Sequence, residues 1–329
     1  MNRSQWRGGG CRIQSPMTLG GIGAVSLENE IVRVTVLSGK GADIASFLHK
    51  PTDTDFMWHS PRGLRDPGTA PPAPGVETAF DQFYEGGWQE LFPHASRPSE
   101  YRGVLLPQHG EVWALPWDVE ILEDTPEHIS VRFSVETLRT PFRLERTMSM
   151  ESSSAEVTIG EKVTNLSDED QEFMWGHHPA FGAPFLSEDC RLEFPAGRVR
   201  WQGSEGEIIG EWPVVKVPDG DDVDLSLVPR EGSGFTDMIY PEELSGGSYR
   251  IVNEKLGVGF SLKWDLDVFK VVWVWRQINA PGGWHGRAYT VACEPVSHYA
   301  GARERGDELL KLAPRASMET ELVAGAFTL

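Results

Sequence analysis

Between His128 and Val163 the side chains alternate between apolar and polar with a period of two, through three successive segments. In His128–Glu136, Ile129, Val131, Phe133 and Val135 share one face, while Ser130, Arg132 and Ser134 share the other. Phe142, Leu144, Met148 and Met150 then alternate with Arg143, Glu145, Thr147 and Ser149. Val157, Ile159 and Val163 alternate in turn with Glu156, Thr158 and Lys162. Successive side chains of a strand point to opposite faces, so these segments read as strands with one face on a core and one in water. Three in series predict an antiparallel meander. The same reading extends to 191–194, 249–253, Val258–Trp264, 270–276, 288–293 and 317–323. The run 269–275 is apolar on both faces and is expected between two packed layers. Helix signals are scarce: a turn or two at 78–84 and a short amphipathic candidate at 303–312. With 35 Gly and 23 Pro to supply turns, the chain reads as nearly all-β.

Large all-β sandwiches reach 329 residues as one unit, and strand-like sequence runs on both sides of the Pro/Gly-rich loop 62–75. Residues 21–329 are therefore expected to form a single domain, and the weakly basic residues 1–20 a flexible arm. The formal net charge is −19, and no Lys/Arg cluster interrupts it, which argues against nucleic acid and anionic membrane surfaces as partners. No apolar run approaches the ~18 residues of a membrane span, and the first residues lack the apolar stretch of a secretory signal. Cys11, Cys190 and Cys293 are odd in number, widely spaced and free of any C-x-x-C, so no disulfide framework is expected and a reducing cytoplasm fits. The acidic runs 168–170 and 219–224 read as solvated turns, the second lacking the spacing of a calcium loop. Twelve tryptophans serve either as large core fillers or as platforms for sugar rings.

Four segments carry residues suited to chemistry. Pro107-Gln108-His109-Gly110 follows an apolar strand, so His109 either points into a cleft or is an ordinary satisfied polar residue. His177 and His178 lie within Trp175-Gly176-His177-His178-Pro179-Ala180-Phe181-Gly182. On a strand these neighbours point to opposite faces and do not readily chelate one ion, so at most one faces a site. Asp237 is the single carboxylate in Phe235-Thr236-Asp237-Met238-Ile239-Tyr240, where it either binds a ligand or caps a turn. Glu294 ends the apolar strand Tyr289-Thr290-Val291-Ala292-Cys293-Glu294-Pro295. Desolvation there would raise its pKa towards neutrality, as a general base requires, unless it reaches solvent.

Taken together and in this order, the four segments resemble the galactose mutarotase (aldose 1-epimerase) superfamily over nearly the whole chain, from 27–50 to the strand around Leu322. The resemblance implies a large antiparallel β-supersandwich and cofactor-free, metal-free interconversion of sugar anomers. It implies Glu294 as the base on the anomeric hydroxyl and His178 as the acid on the ring oxygen. His109 would orient the substrate and stabilise developing charge, and Asp237 would bind hydroxyls. Gln108, His177, Trp88 and Trp113, in or beside the motifs, complete the expected substrate contacts, with Trp175 and Trp284 also close by. The implied partner is a small-molecule carbohydrate, handled by a monomer or homodimer.

The sequence departs from the family's sugar-phosphate branches, which resemble H-G-F-A-R after the first histidine. Here the residues are His109-Gly110-Glu111-Val112-Trp113, and with the charge of −19 this points to a neutral sugar. Other branches place Asn where this chain has His177. Three readings follow: an anomerase, another sugar-modifying enzyme on the same scaffold, or a sugar-binding domain without turnover.

Overall fold

A computed structural model describes residues 7–69, 79–203, 206–218, 220–282 and 284–329. Nearly every element is an antiparallel strand. The larger sheet has twelve strands among the described residues. It runs Arg12–Leu19, Ile22–Glu28, Val32–Leu37, Asp43–His49, Trp88–Leu91, Gly176–Phe181, Tyr289–Val296, Val271–Ile278, Phe235–Glu242, Arg198–Gly203 and Gly206–Glu211, with Thr54–Asp55 beside the fourth. The second sheet has eight, in the order Cys190–Glu193, Ser248–Asn253, Val258–Trp264, Ser317–Thr328, Glu156–Asn165, Phe142–Glu151, His128–Glu136 and Asp118–Asp124.

The expected meander lies in the second sheet, in a register that turns the sequence alternation into apolar rows. Val131 sits opposite Met148, Met148 opposite Ile159 and Ile159 opposite Leu322, and all four are buried. These rows pack onto the inner face of the larger sheet, where the Phe47 ring lies 5.3 Å from Phe260 and Phe181 lies 5.0 Å from it. Each such fully buried side chain contributes about 1.5–3 kcal/mol. The outer face of the larger sheet carries a cleft.

Three expectations change. Residues 12–19 are not part of a flexible arm but an edge strand, closed onto Ile22–Glu28 by a Gly20-Gly21 turn with φ of 57° and 88°. Gly-Gly between strands is a two-residue hairpin signal. Residues 1–6 lie outside the described residues. At 303–312 there is only a single helical turn, Ala302–Arg305, ended by Gly306 at φ 74°, followed by the strand Leu310–Leu312. The turn at 78–84 is Phe80–Phe83, with Thr78 outside the described residues, as are residues 70–75 of the Pro/Gly-rich loop and Asp219 of the second acidic run. The strand within 269–275 is central in its sheet, yet only one of its faces meets the second layer. Val272 and Val274 enter the main core, while Trp273 and Trp275 face the cleft.

Candidate active site

Strand register builds the floor of the cleft. Gly176 pairs with Val296 and Ala180 with Ala292, which sets His178 opposite Glu294. Gln89 lies opposite His178 on one side, and Trp273 opposite Glu294 on the other. Ile239 pairs with Val274, so Tyr240 follows beside Trp273, and Arg200 pairs with Tyr240. Residues opposite one another share a face of the sheet. Gln89, His178, Glu294, Trp273, Tyr240 and Arg200 therefore form one row across six strands. The residues at alternate positions, Phe181, Cys293, Val274 and Ile239, enter the core behind it. Within the row, His178 Nε2 lies 3.5 Å from Glu294 Oε1.

Loops raise the walls. The Phe80–Phe83 turn delivers Tyr84, whose hydroxyl oxygen lies 3.2 Å from His178 Nδ1. The segment after Val104–Leu106 turns back through His109 at φ 60° and Gly110 at φ 77°. A Cβ on Gly110 would lie 2.1 Å from the Phe92 carbonyl oxygen, so only glycine fits there. His109 is held in a backbone region that non-glycine residues rarely occupy, a strain of about 1–3 kcal/mol typical of functional sites. Its ring lies 5.5 Å from that of His178, and its Nδ1–H donates to the Ala95 carbonyl at 3.0 Å, leaving Nε2 to accept. Gln108, Trp275 and Trp284 also line the cleft, a cavity of about 730 Å³. Small-molecule sites commonly span about 300–1,000 Å³.

Burial dominates the electrostatics. It pushes the Glu294 carboxyl well above the usual carboxylate range, lowers His178 to about 4, and with the nearby His178 lowers His109 to about 3. His109 is thus a neutral hydrogen-bonding group, not a cation. With the Glu294 carboxyl pushed up and the His178 imidazole pushed down, the two can share one transferable proton. It sits on the carboxyl or, after transfer, on Nε2, and in both states Nδ1–H can donate to the Tyr84 oxygen. An acid and a base in contact, differing by one proton, can remove a proton from one atom and supply one to its neighbour.

Three of the four expected residues, His109, His178 and Glu294, line this cleft, and Gln108 joins them. The rest are placed elsewhere, Asp237, His177 and Trp88 by strand parity. Asp237 points the same way as Ile239, away from the cleft. It takes two hydrogen bonds from Arg276, at 2.9 and 2.5 Å, and one from Trp201 at 2.6 Å, beside a separate cavity of about 470 Å³. His177, one residue from His178, faces the interior. Trp88 Nε1–H donates to its Nδ1 at 3.1 Å, and its Nε2 lies 3.0 Å from Glu161. Trp88 therefore braces His177 and does not reach the cleft. Trp113 is buried against Phe80, 5.2 Å between rings, and its N–H donates to the Gly110 carbonyl at 2.9 Å. Trp175 is core.

Glu90, Glu161 and His177 present donor atoms within 4.8 Å of one another. The Arg146 guanidinium already occupies that group, with Nε 3.0 Å from Glu161 and Nη2 on Glu90, so the cluster is a buried ion-pair network with its cation supplied by the chain. Sequence reasoning missed Tyr84, Trp273 and Tyr240. The alternation of Trp273 and Trp275 with Val272 and Val274 was the available signal for the tryptophans, because it splits an apolar run into two distinct faces.

The cleft and the two packed sheets define a galactose mutarotase-like fold. A candidate aldose 1-epimerase from Klebsiella pneumoniae superposes with a TM-score of 0.78 at 15% identity, covering 100% of this chain and 87% of that one. A galactose mutarotase-like protein from Clostridium acetobutylicum gives 0.68 at 13% identity, covering 97% and 99%. A galactose mutarotase related enzyme from Lactobacillus acidophilus gives 0.61 at 19%, covering 93% and 97%. The chain belongs to the family described as Domain of unknown function (DUF4432), which matches residues 20–325. No curated protein matches it in sequence. Among the described residues, no helix is long and apolar enough to cross a membrane.

Proposed function

We propose that this protein is an isomerase that interconverts the α and β anomers of a neutral reducing sugar. The observation that carries this reading is the Glu294–His178 pair, 3.5 Å apart on the floor of an aromatic-walled cleft. That spacing suits two oxygens bonded to one carbon, the anomeric hydroxyl and the ring oxygen. From the carboxylate–imidazolium state, Glu294 takes the anomeric hydroxyl proton while His178 Nε2–H protonates the ring oxygen. The bond between the anomeric carbon and the ring oxygen breaks as the carbonyl forms. Rotation about the adjacent carbon–carbon bond turns the carbonyl over, and the ring hydroxyl adds to its other face as both protons return. No electrons or atoms are left over. His109 Nε2 accepts from a sugar hydroxyl, and Trp275, Trp284 and Tyr240 offer faces to the ring's apolar C–H groups. Asp81 and Glu304 outnumber Arg97 along the cleft, and the Glu294–His178 pair with its shared proton is neutral, which favours an uncharged substrate. The cysteines are free and buried, in keeping with a reducing cytoplasm.

Saturation-transfer NMR across a panel of neutral aldoses tests the reading. Accelerated anomeric exchange is the expected result, and folded protein that accelerates none of them would overturn it. Two variants sharpen it. Tyr84→Phe removes the acceptor that orients the His178 ring and is expected to lower kcat about 3- to 10-fold, the worth of one neutral hydrogen bond. Asp237→Asn should leave activity within about threefold, since Asp237 lies outside the cleft. It should nevertheless lower the denaturation midpoint, because Arg276 loses the charge that compensates it. A large loss of activity in folded Asp237→Asn would restore the hydroxyl-binding role implied by the sequence.

A further inference from the structure

Trp273 Nε1 and Glu294 Oε2 are both buried and lack a hydrogen-bond partner among the described residues. Leaving a buried polar atom unpaired costs about 1–3 kcal/mol, so a fold keeps such atoms for a reason. Here the two are complementary. An indole N–H only donates, and an ionised carboxylate only accepts. Their residues are directly opposite each other on adjacent strands, and both line the cleft. Trp273 is only 4% exposed and Glu294 2%, so what little surface each keeps faces the cleft they line.

One hydroxyl group satisfies both atoms at once, because its oxygen accepts one hydrogen bond while its hydrogen is donated to another. Resting on the anomerisation reading above, we propose that Trp273 is a further catalytic residue, its indole N–H donating to the anomeric oxygen whose proton Glu294 takes. The indole has no basic nitrogen to compete for that proton, so it holds the oxygen without diverting the transfer. As the hydroxyl loses its proton, the oxygen gains negative charge and the N–H bond to it strengthens, which favours the transition state over the bound sugar. The same donor serves the return step. Once the ring is open, the carbonyl oxygen accepts from the indole, and the polarised carbonyl carbon is attacked more readily by the ring hydroxyl. Tyr240, the next residue in the row, turns its hydroxyl to Gln202 at 3.4 Å and leaves this position to Trp273.

The test uses Trp273→Phe, which keeps an aromatic ring on the floor and deletes the N–H, measured on a sugar that the wild type turns over. Loss of this donor should lower kcat on the order of 100-fold. KM should stay within about threefold and the pH limits should not move, as expected for an interaction made chiefly in the transition state. In ¹⁵N-indole spectra, the wild-type resonance missing from Trp273→Phe should shift downfield when that sugar saturates the site. Unchanged kcat in the folded variant, or a Trp273 resonance unmoved by a sugar that the wild type turns over, would overturn the proposal. So would a variant whose loss lies in KM or in shifted pH limits, since that is how a purely structural tryptophan behaves. If Trp273→Phe fails to fold, the resonance decides. A wild type that turns over no sugar instead sinks the anomerase reading, and this inference with it.

Discussion

Glu294→Gln is expected to lower anomeric exchange by roughly 10²–10⁴-fold, the usual worth of a positioned general base. The amide keeps the size of the side chain but cannot accept the anomeric proton, and the proton held in common with His178 disappears with it. The wild-type pH profile should show a plateau around neutrality. Below about 4, where burial has brought His178, the pair gains a second proton and no base remains. Above the raised Glu294 value the pair loses its proton and no acid remains. Stability should change in the opposite sense to activity. The unfolded chain releases the Glu294 proton above its ordinary value of 4.5, while the folded site retains it, so rising pH favours unfolding through this group. Glu294→Gln removes that cost. It should unfold at higher urea than the wild type at pH 7, with the gain fading as the pH falls to 4.5 and below. Equal stability at pH 7 would mean that the carboxyl is ionised in the free site.

Arg146→Met should cost about 3–5 kcal/mol of stability, because it strips the buried Glu90 of its guanidinium partner and leaves the buried Glu161 with His177 alone. Arg146 is 1% exposed and bonds Glu90, Glu161 and the Ala42 carbonyl, the last at 2.7 Å. Burial, and then Glu161, push Glu90 up to about 7 even with Arg146 present. Burial also raises Glu161, but His177 and Arg146 together outweigh it and bring that carboxyl down to about 2. Without the guanidinium Glu90 rises further, so the folded variant holds a proton that the unfolded chain gives up. The deficit should therefore be larger at pH 8 than at pH 5. Urea denaturation at the two values checks this, and a loss independent of pH would place the cost in packing alone. The network lies directly behind the strand that carries His178, with His177 one residue from His178. A folded Arg146→Met chain should accordingly lose activity in proportion to any displacement of His178.

Much of the architecture was legible in the residues because strands write their burial into a period of two. His128–Glu136 and Val258–Trp264 carried their boundaries in that alternation, and the meander followed from it. The Glu294 strand, the His178 strand and the loop at His109 were legible as places where polar groups interrupt apolar sequence. Their roles came from resemblance to a family in which those interruptions occur in the same order. The four-segment pattern could not reveal where the Asp237 carboxylate would point. Parity along Phe235–Glu242 shows that Asp237 and Met238 face opposite ways, but which face meets the cleft depends on a partner strand.

What this sequence determined by itself is local and periodic: an antiparallel, nearly all-β chain, a strongly acidic composition, and a glutamate and a histidine at strand positions. Those properties follow from side-chain spacing and the cost of burying charge, which act over a few residues. What only the tertiary structure decided is which residues meet. Glu294 and His178 are brought 3.5 Å apart by the register between their two strands, and Tyr84 reaches His178 because a single helical turn folds over the sheet. Register also sends His177 and Asp237 to the far side of the strands that carry them. Pairing is set by the fit of two whole faces, and a one-residue slip would exchange every inward and outward side chain, so no short stretch of sequence contains that choice.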